Sequence, residues 1–123
     1  MYDFKYFQNE GIWEHEPDDG MTITLTGDSN GYDPEHLQIV EDALTALGRI
    51  VSEINSWMLT WFLDPQKEHF KAGMQPVQVK YLDDDTVIIS ANYGDPCTSW
   101  DFYVRFYPAL QSWKCSKFIC ETS

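Results

Sequence analysis

The side chains best equipped for chemistry lie in two acidic runs. Glu14, His15, Glu16, Asp18 and Asp19 crowd around Pro17, and carboxylates with imidazole are the usual oxygen and nitrogen donors to a divalent ion. Their spacing fits no ligand frame, and Pro17 and Gly20 break regular structure beside them, so the run reads as a solvated acidic loop. Asp83, Asp84 and Asp85 form the second run. A calcium loop needs ligands at alternate positions and a glycine, whereas three consecutive aspartates read as an exposed hairpin turn. No metal is expected at either place.

Nucleophilic chemistry fares no better. Cys97, Cys115 and Cys120 are an odd set with no CxxC pair, so neither a disulfide framework nor a zinc knuckle is indicated, and they read as reduced thiols. An activated cysteine needs an electropositive setting, but Asp95 and Asp101 make the surroundings of Cys97 acidic. His36 and His69 read as surface residues. The chain contains no phosphate loop, dinucleotide fingerprint, zinc-protease helix or nucleophile elbow. The expectation is a non-catalytic protein without a cofactor.

The elements that position these residues follow from hydrophobic periodicity. Leu37, Val40, Leu44, Leu47, Val51, Ile54, Met58 and Trp61 recur at spacings of three and four, which predicts one long amphipathic helix over about residues 34–63. Asp33 suits its N-cap and Pro34 its first position, and Tyr32 is placed to staple onto Leu37. Asp64-Pro65 ends it. Ala43, Ile50 and Trp57 widen the apolar face, which favours cover by a sheet over a coiled-coil seam. At ~1.5 Å per residue the helix would reach roughly 45 Å, against a radius of gyration of about 14 Å for a globule of this size. Gly48 is the natural place for a bend.

Period-two alternation marks the strands. Tyr2, Phe4 and Tyr6 alternate with polar residues, Ile12-Trp13 starts a second extended piece, and Met21, Ile23 and Leu25 alternate with three threonines. After the helix, Val77 to Tyr81, Thr86 to Tyr93 and Trp100 to Tyr107 read as three strands, the middle one buried on both faces. Pro76 suits an edge or a strand start. Ala109 to Cys120 fits strand and helix equally. The 123 residues, 43% hydrophobic and 15% aromatic, therefore predict a single α+β domain in which an antiparallel sheet packs on one long helix.

Charge narrows the partners. The formal net charge is -12, and between Tyr6 and Gly48 there are ten acidic residues and no Lys or Arg. That excess disfavours direct binding to nucleic acid or an anionic membrane, and it suits a basic protein partner drawn in by a one-signed face. The candidate contact residues are Glu10, Glu14, Glu16, Asp18, Asp19 and Asp28, helped by Asp83, Asp84 and Asp85. The N-terminal residues lack the basic and apolar regions of a signal peptide, and no stretch spans a bilayer, so a cytoplasmic monomer or homodimer is expected.

Trp13, the strand Met21-Thr-Ile-Thr-Leu-Thr-Gly27, the helix entry Asp33-Pro-Glu-His-Leu37 and the meander beyond Val77 together give a layout that resembles the small acidic α+β immunity proteins that bacteria encode beside secreted toxins. The resemblance implies a protein that binds one toxin, for instance a basic nuclease, and plugs its active site or covers a surface it needs. It carries no functional residue over. Three other readings remain open: a DNA mimic or anti-defence inhibitor of phage or plasmid origin, a small enzyme or ligand-binding domain with a pocket near Trp57, Trp61 and Trp100, and a structural subunit whose apolar helix end drives self-association.

Overall fold

The computed structural model describes residues 2–17, 20–59, 74–83, 85–92 and 98–122. Eight strands and two helices follow one another as β1 (Lys5–Phe7), β2 (Ile12–His15), β3 (Thr22–Asp28), β4 (Gly31–Tyr32), α1 (Pro34–Thr45), α2 (Leu47–Leu59), β5 (Gln75–Asp83), β6 (Thr86–Asn92), β7 (Thr98–Tyr107) and β8 (Ser112–Thr122). The main path of the sheet runs β1-β2-β3-β5-β6-β7-β8, with β4 folded back on β3. Among the described residues strand outweighs helix, 54% against 25%, so the sheet and not a single helix organises them.

The expected single long helix does not form. Ala46 leaves helical geometry at φ -94 and ψ 12 while its N–H still donates to the Asp42 carbonyl. Its own carbonyl accepts from Ile50 N at 3.0 Å and so begins α2. The reason is dimensional. Seven strands at ~4.8 Å span roughly 29 Å, and a ten-residue strand about 34 Å, so a 45 Å rod would overrun the sheet in either direction. Broken, the two helices of about 18 and 20 Å fit. The break falls two residues before Gly48, which sits in the first turn of α2. Residues 60–63 of the expected helix, Trp61 among them, lie outside the described residues.

The helical start was legible. Asp33 (φ -77, ψ 121) accepts from Glu35 N through its side chain, and Pro34 follows at the first position. Tyr32, however, packs its ring against Phe4 and Trp13. The buried face also turns from the expected line. Val40, Ala43, Ile50, Ile54 and Met58 are fully buried, and Leu37, Leu44, Leu47 and Val51 flank them.

The sheet is not the purely antiparallel one expected, because β3 and β5 pair in parallel, Ile23 opposite Val79. A parallel neighbour requires a crossover, and β4, α1 and α2 lie on it. The helices cover one face of the sheet, α1 over β3, β5 and β6 and α2 over β8. On that face Ile23, Val79, Ile89, Phe102 and Phe118 form one cross-strand row, with Tyr81, Val87, Val104 and Cys115 beside it. Pro76 stands before β5 meets β3, so its missing N–H costs no pairing there. Strand β6 is interior but buried on one face only, since Val87, Ile89 and Ala91 are covered while Ile88 is half-exposed. The ambiguous tail is the eleven-residue edge strand β8.

Candidate functional site

Sheet topology sorts the candidate acidic residues between two ends. Gly27 N donates to Gly11 O at 3.0 Å, which ties the β1–β2 turn carrying Glu10 to the end of β3. Asp28 opens the β3–β4 turn, its carboxylate accepting from Asn30 N at 2.9 Å. Because β5 runs parallel to β3, the β5–β6 turn with Asp83 and Asp85 lies at the same end. Glu10, Asp28, Asp83 and Asp85 thus lie at one end of the sheet, on three turns. Among the described residues none of these four carboxylates is held in an ion pair.

Glu14 and Glu16 are not part of that group. Glu14 lies opposite Thr24 on the sheet face away from the helices and accepts from its hydroxyl at 3.4 Å, and Glu16 follows β2 toward the opposite end. Asp18, Asp19 and Asp84 lie outside the described residues. His15, between the two glutamates, points to the other face. Its Nδ1 accepts from Asp3 N at 2.9 Å and its ring contacts Tyr2 and Phe4, so it fastens the N-terminal residues to the sheet. Among the described residues no group of three or more His, Cys, Asp or Glu side chains is placed to hold a metal ion.

The face away from the helices has a different character. Register places Lys5, Glu14, Thr24, Lys80, Ile88, Tyr103 and Lys117 in one row across it. Lys117 Nζ sits 4.3 Å from the Tyr103 ring centre, and Arg105 stands over Tyr107 at 5.7 Å. The folded chain therefore gathers cations on this face and leaves the acidic turns at one end.

Where α1 ends, a cleft of about 230 Å³ opens beside the β5–β6 turn, lined by Ile39, Asp42, Thr45, Asp85, Phe106 and Trp113. Its aromatic wall comes from β7 and β8, Phe106 opposite Trp113 with ring centres 5.4 Å apart. Trp113 is buried, and Phe106 is half-buried. Asp42 accepts from Gln38 Nε2 at 2.9 Å through one carboxylate oxygen. Asp85 adopts a left-handed backbone, φ 63, and its carbonyl receives Phe106 N at 3.1 Å, which locks the turn onto β7. Thr45, the last residue of α1, lines this cleft just before the helix break, and Ala46 and Arg49 line the adjoining one together with the same Phe106 and Trp113.

Sequence reasoning missed the cleft. Asp42 is not among the candidate residues read from the sequence, and Trp113 falls in a segment that fits strand and helix equally. The available signal was two aromatics flanking the Pro108 turn, which a hairpin brings opposite one another. Trp57 and Trp100, expected near a pocket, both pack on Phe118 with ring centres 5.5 Å away. Of the cysteines, Cys115 is buried and its thiol is pushed up to about 12 by that burial, while Cys120 is exposed; both are free. Cys97 lies outside the described residues. No described helix is long and apolar enough to cross a membrane. Comparison with protein-family models, curated proteins and solved structures finds no match to the chain.

Proposed function

We propose that this chain is a non-catalytic inhibitor of the immunity-protein kind, which neutralises a basic protein toxin by direct contact at the end of the sheet bearing the acidic turns. One observation carries the reading: three separate turns bring Glu10, Asp28, Asp83 and Asp85 to one end, with no ion pair to any of them among the described residues. Like charges held together without internal compensation destabilise the free protein slightly and favour a cationic surface. The contact surface is thus narrower than the sequence suggested, and Glu14 and Glu16 are peripheral to it.

Charge alone is a weak anchor. Exposed ion pairs contribute about 0.2–1 kcal/mol each, while a micromolar complex requires about 8 kcal/mol. The acidic turns supply steering and salt dependence, and a buried anchor must supply the rest.

The test is capture from the native host with tagged protein at low ionic strength, a salt step, and mass spectrometry. One basic protein is expected, released by salt, whose toxic activity falls when the two are mixed. Replacing Glu10, Asp28 and Asp83 by Lys should abolish its recovery, and replacing Glu14 and Glu16 by Lys should leave most of it. Recovery indifferent to salt and to the first set of substitutions would overturn the assignment.

A further inference from the structure

We infer that the cleft at the helix break is the receptor for an arginine side chain of the basic partner. This rests on the proposed function and names the anchor that the exposed carboxylates cannot provide.

Size comes first. Small-molecule sites occupy roughly 300–1,000 Å³, and the cleft measures about 230 Å³, which suits one inserted side chain better than a metabolite. Its chemistry selects among side chains. The Phe106–Trp113 pair offers aromatic surface, and Asp42 and Asp85 line the same space with carboxylates. A guanidinium is planar, weakly hydrated, stacks on aromatic rings and pairs with carboxylates through several donors at once; an ammonium is a compact, strongly hydrated point charge. An apolar side chain would desolvate two carboxylates without return. The protein's own cations nearby are placed elsewhere: Arg49 and Lys114 line the adjoining cleft, where Lys114 Nζ is 3.4 Å from Glu53. The cleft is also continuous with the acidic turns through Asp85, so an arginine in it would sit at the edge of the proposed contact.

The probe is N-acetyl-arginine N-methylamide, titrated into the whole protein while the Trp113 indole N–H is followed by NMR. Blocked citrulline, which has nearly the same shape without the charge, and blocked lysine serve as comparisons. The expected result is a saturable Trp113 shift in the millimolar range for arginine, at least fivefold weaker for lysine and for citrulline. The double variant Asp42→Asn, Asp85→Asn should weaken arginine binding at least tenfold with an unchanged fold, since asparagine accepts the left-handed backbone at position 85. Equal response to citrulline, no saturation, or no effect of the double variant would overturn the inference. If the partner is still captured by the double variant but lost on reversal of Glu10, Asp28 and Asp83, the proposed function stands and the cleft assignment falls. If arginine fills the cleft and no partner is recovered, the function falls instead.

Discussion

Replacing Gly27 and Gly48 by alanine should shift stability in opposite directions, because the two glycines have different surroundings in the fold. Gly27 pairs with Tyr32 where β4 folds back on β3. A methyl group there would strike the Gly31 carbonyl oxygen and come within 2.8 Å of Trp13 Cδ1. The Gly31 oxygen belongs to the backbone of the hairpin and cannot swing aside, so β4 or the Trp13 ring must move. Overpacking of this kind costs about 1–3 kcal/mol. Movement of Trp13 also breaks its indole bond to the Asp28 carbonyl, 2.9 Å long, at about 0.5–1.5 kcal/mol. Gly27→Ala should therefore lose about 1.5–4.5 kcal/mol. Gly48, exposed in the first turn of α2, has no atom within 4 Å of the added methyl. Relief of its backbone entropy should stabilise the protein by up to about 1 kcal/mol. Urea unfolding followed by far-ultraviolet circular dichroism reads both. A Gly27→Ala protein within about 0.5 kcal/mol of the parent would refute the argument, because the turn presenting Asp28 would then be free to shift.

Two further predictions follow from local contacts. Asp33→Ala should cost about 1 kcal/mol by removing the acceptor for Glu35 N, and Asp33→Asn should recover most of it; thermal unfolding of the two variants distinguishes capping from net charge. Cys115, with its thiol near 12, should be alkylated at pH 8 far more slowly than exposed Cys120, and the difference should vanish in denaturant, as mass spectrometry of iodoacetamide-treated protein would show. The folded pKa lies above the ordinary 9.0, so this contribution to stability is complete below pH 9 and declines as pH rises toward 12, by at most about 1.4 kcal/mol per unit. Comparison with Cys115→Ala across that window isolates it from the other groups that titrate there.

Local signals in the sequence proved readable, and long-range ones did not. The Asp33-Pro34 helix start and the strands around Ile23, Val79, Ile89 and Phe102 are written in capping chemistry and alternation, which depend on near neighbours. The helix break is different. No residue between Thr45 and Leu47 forbids a helix, since Ala46 has the highest helix propensity of all, and the period of three and four runs through it. The limited span of the sheet sets the break, and a one-dimensional pattern holds no record of that span. The same holds for the tail. Trp113, Cys115, Phe118 and Ile119 have mixed spacing because a bulge at Ser116 shifts the register opposite Tyr103 and Val104, which scrambles the alternation that would have marked β8.

The parallel pairing of β3 with β5 is what brings carboxylates from distant parts of the chain to one end of the sheet. Asp28 and Asp83 are 55 positions apart, and each ends its strand. Had β5 paired antiparallel with β3, their side chains would lie at opposite ends of the sheet, and the β3–β4 and β5–β6 turns would not share an end. Parallel pairing requires the chain to return to the end of the sheet where β3 starts before β5 begins, and α1 and α2 are on that return path. The crossover that aligns the acidic turns is therefore also what places the helix break over Phe106 and Trp113, so the charged end and the aromatic cleft arise from one topological choice. A variant that straightened the helix at Ala46 would have to disturb both together.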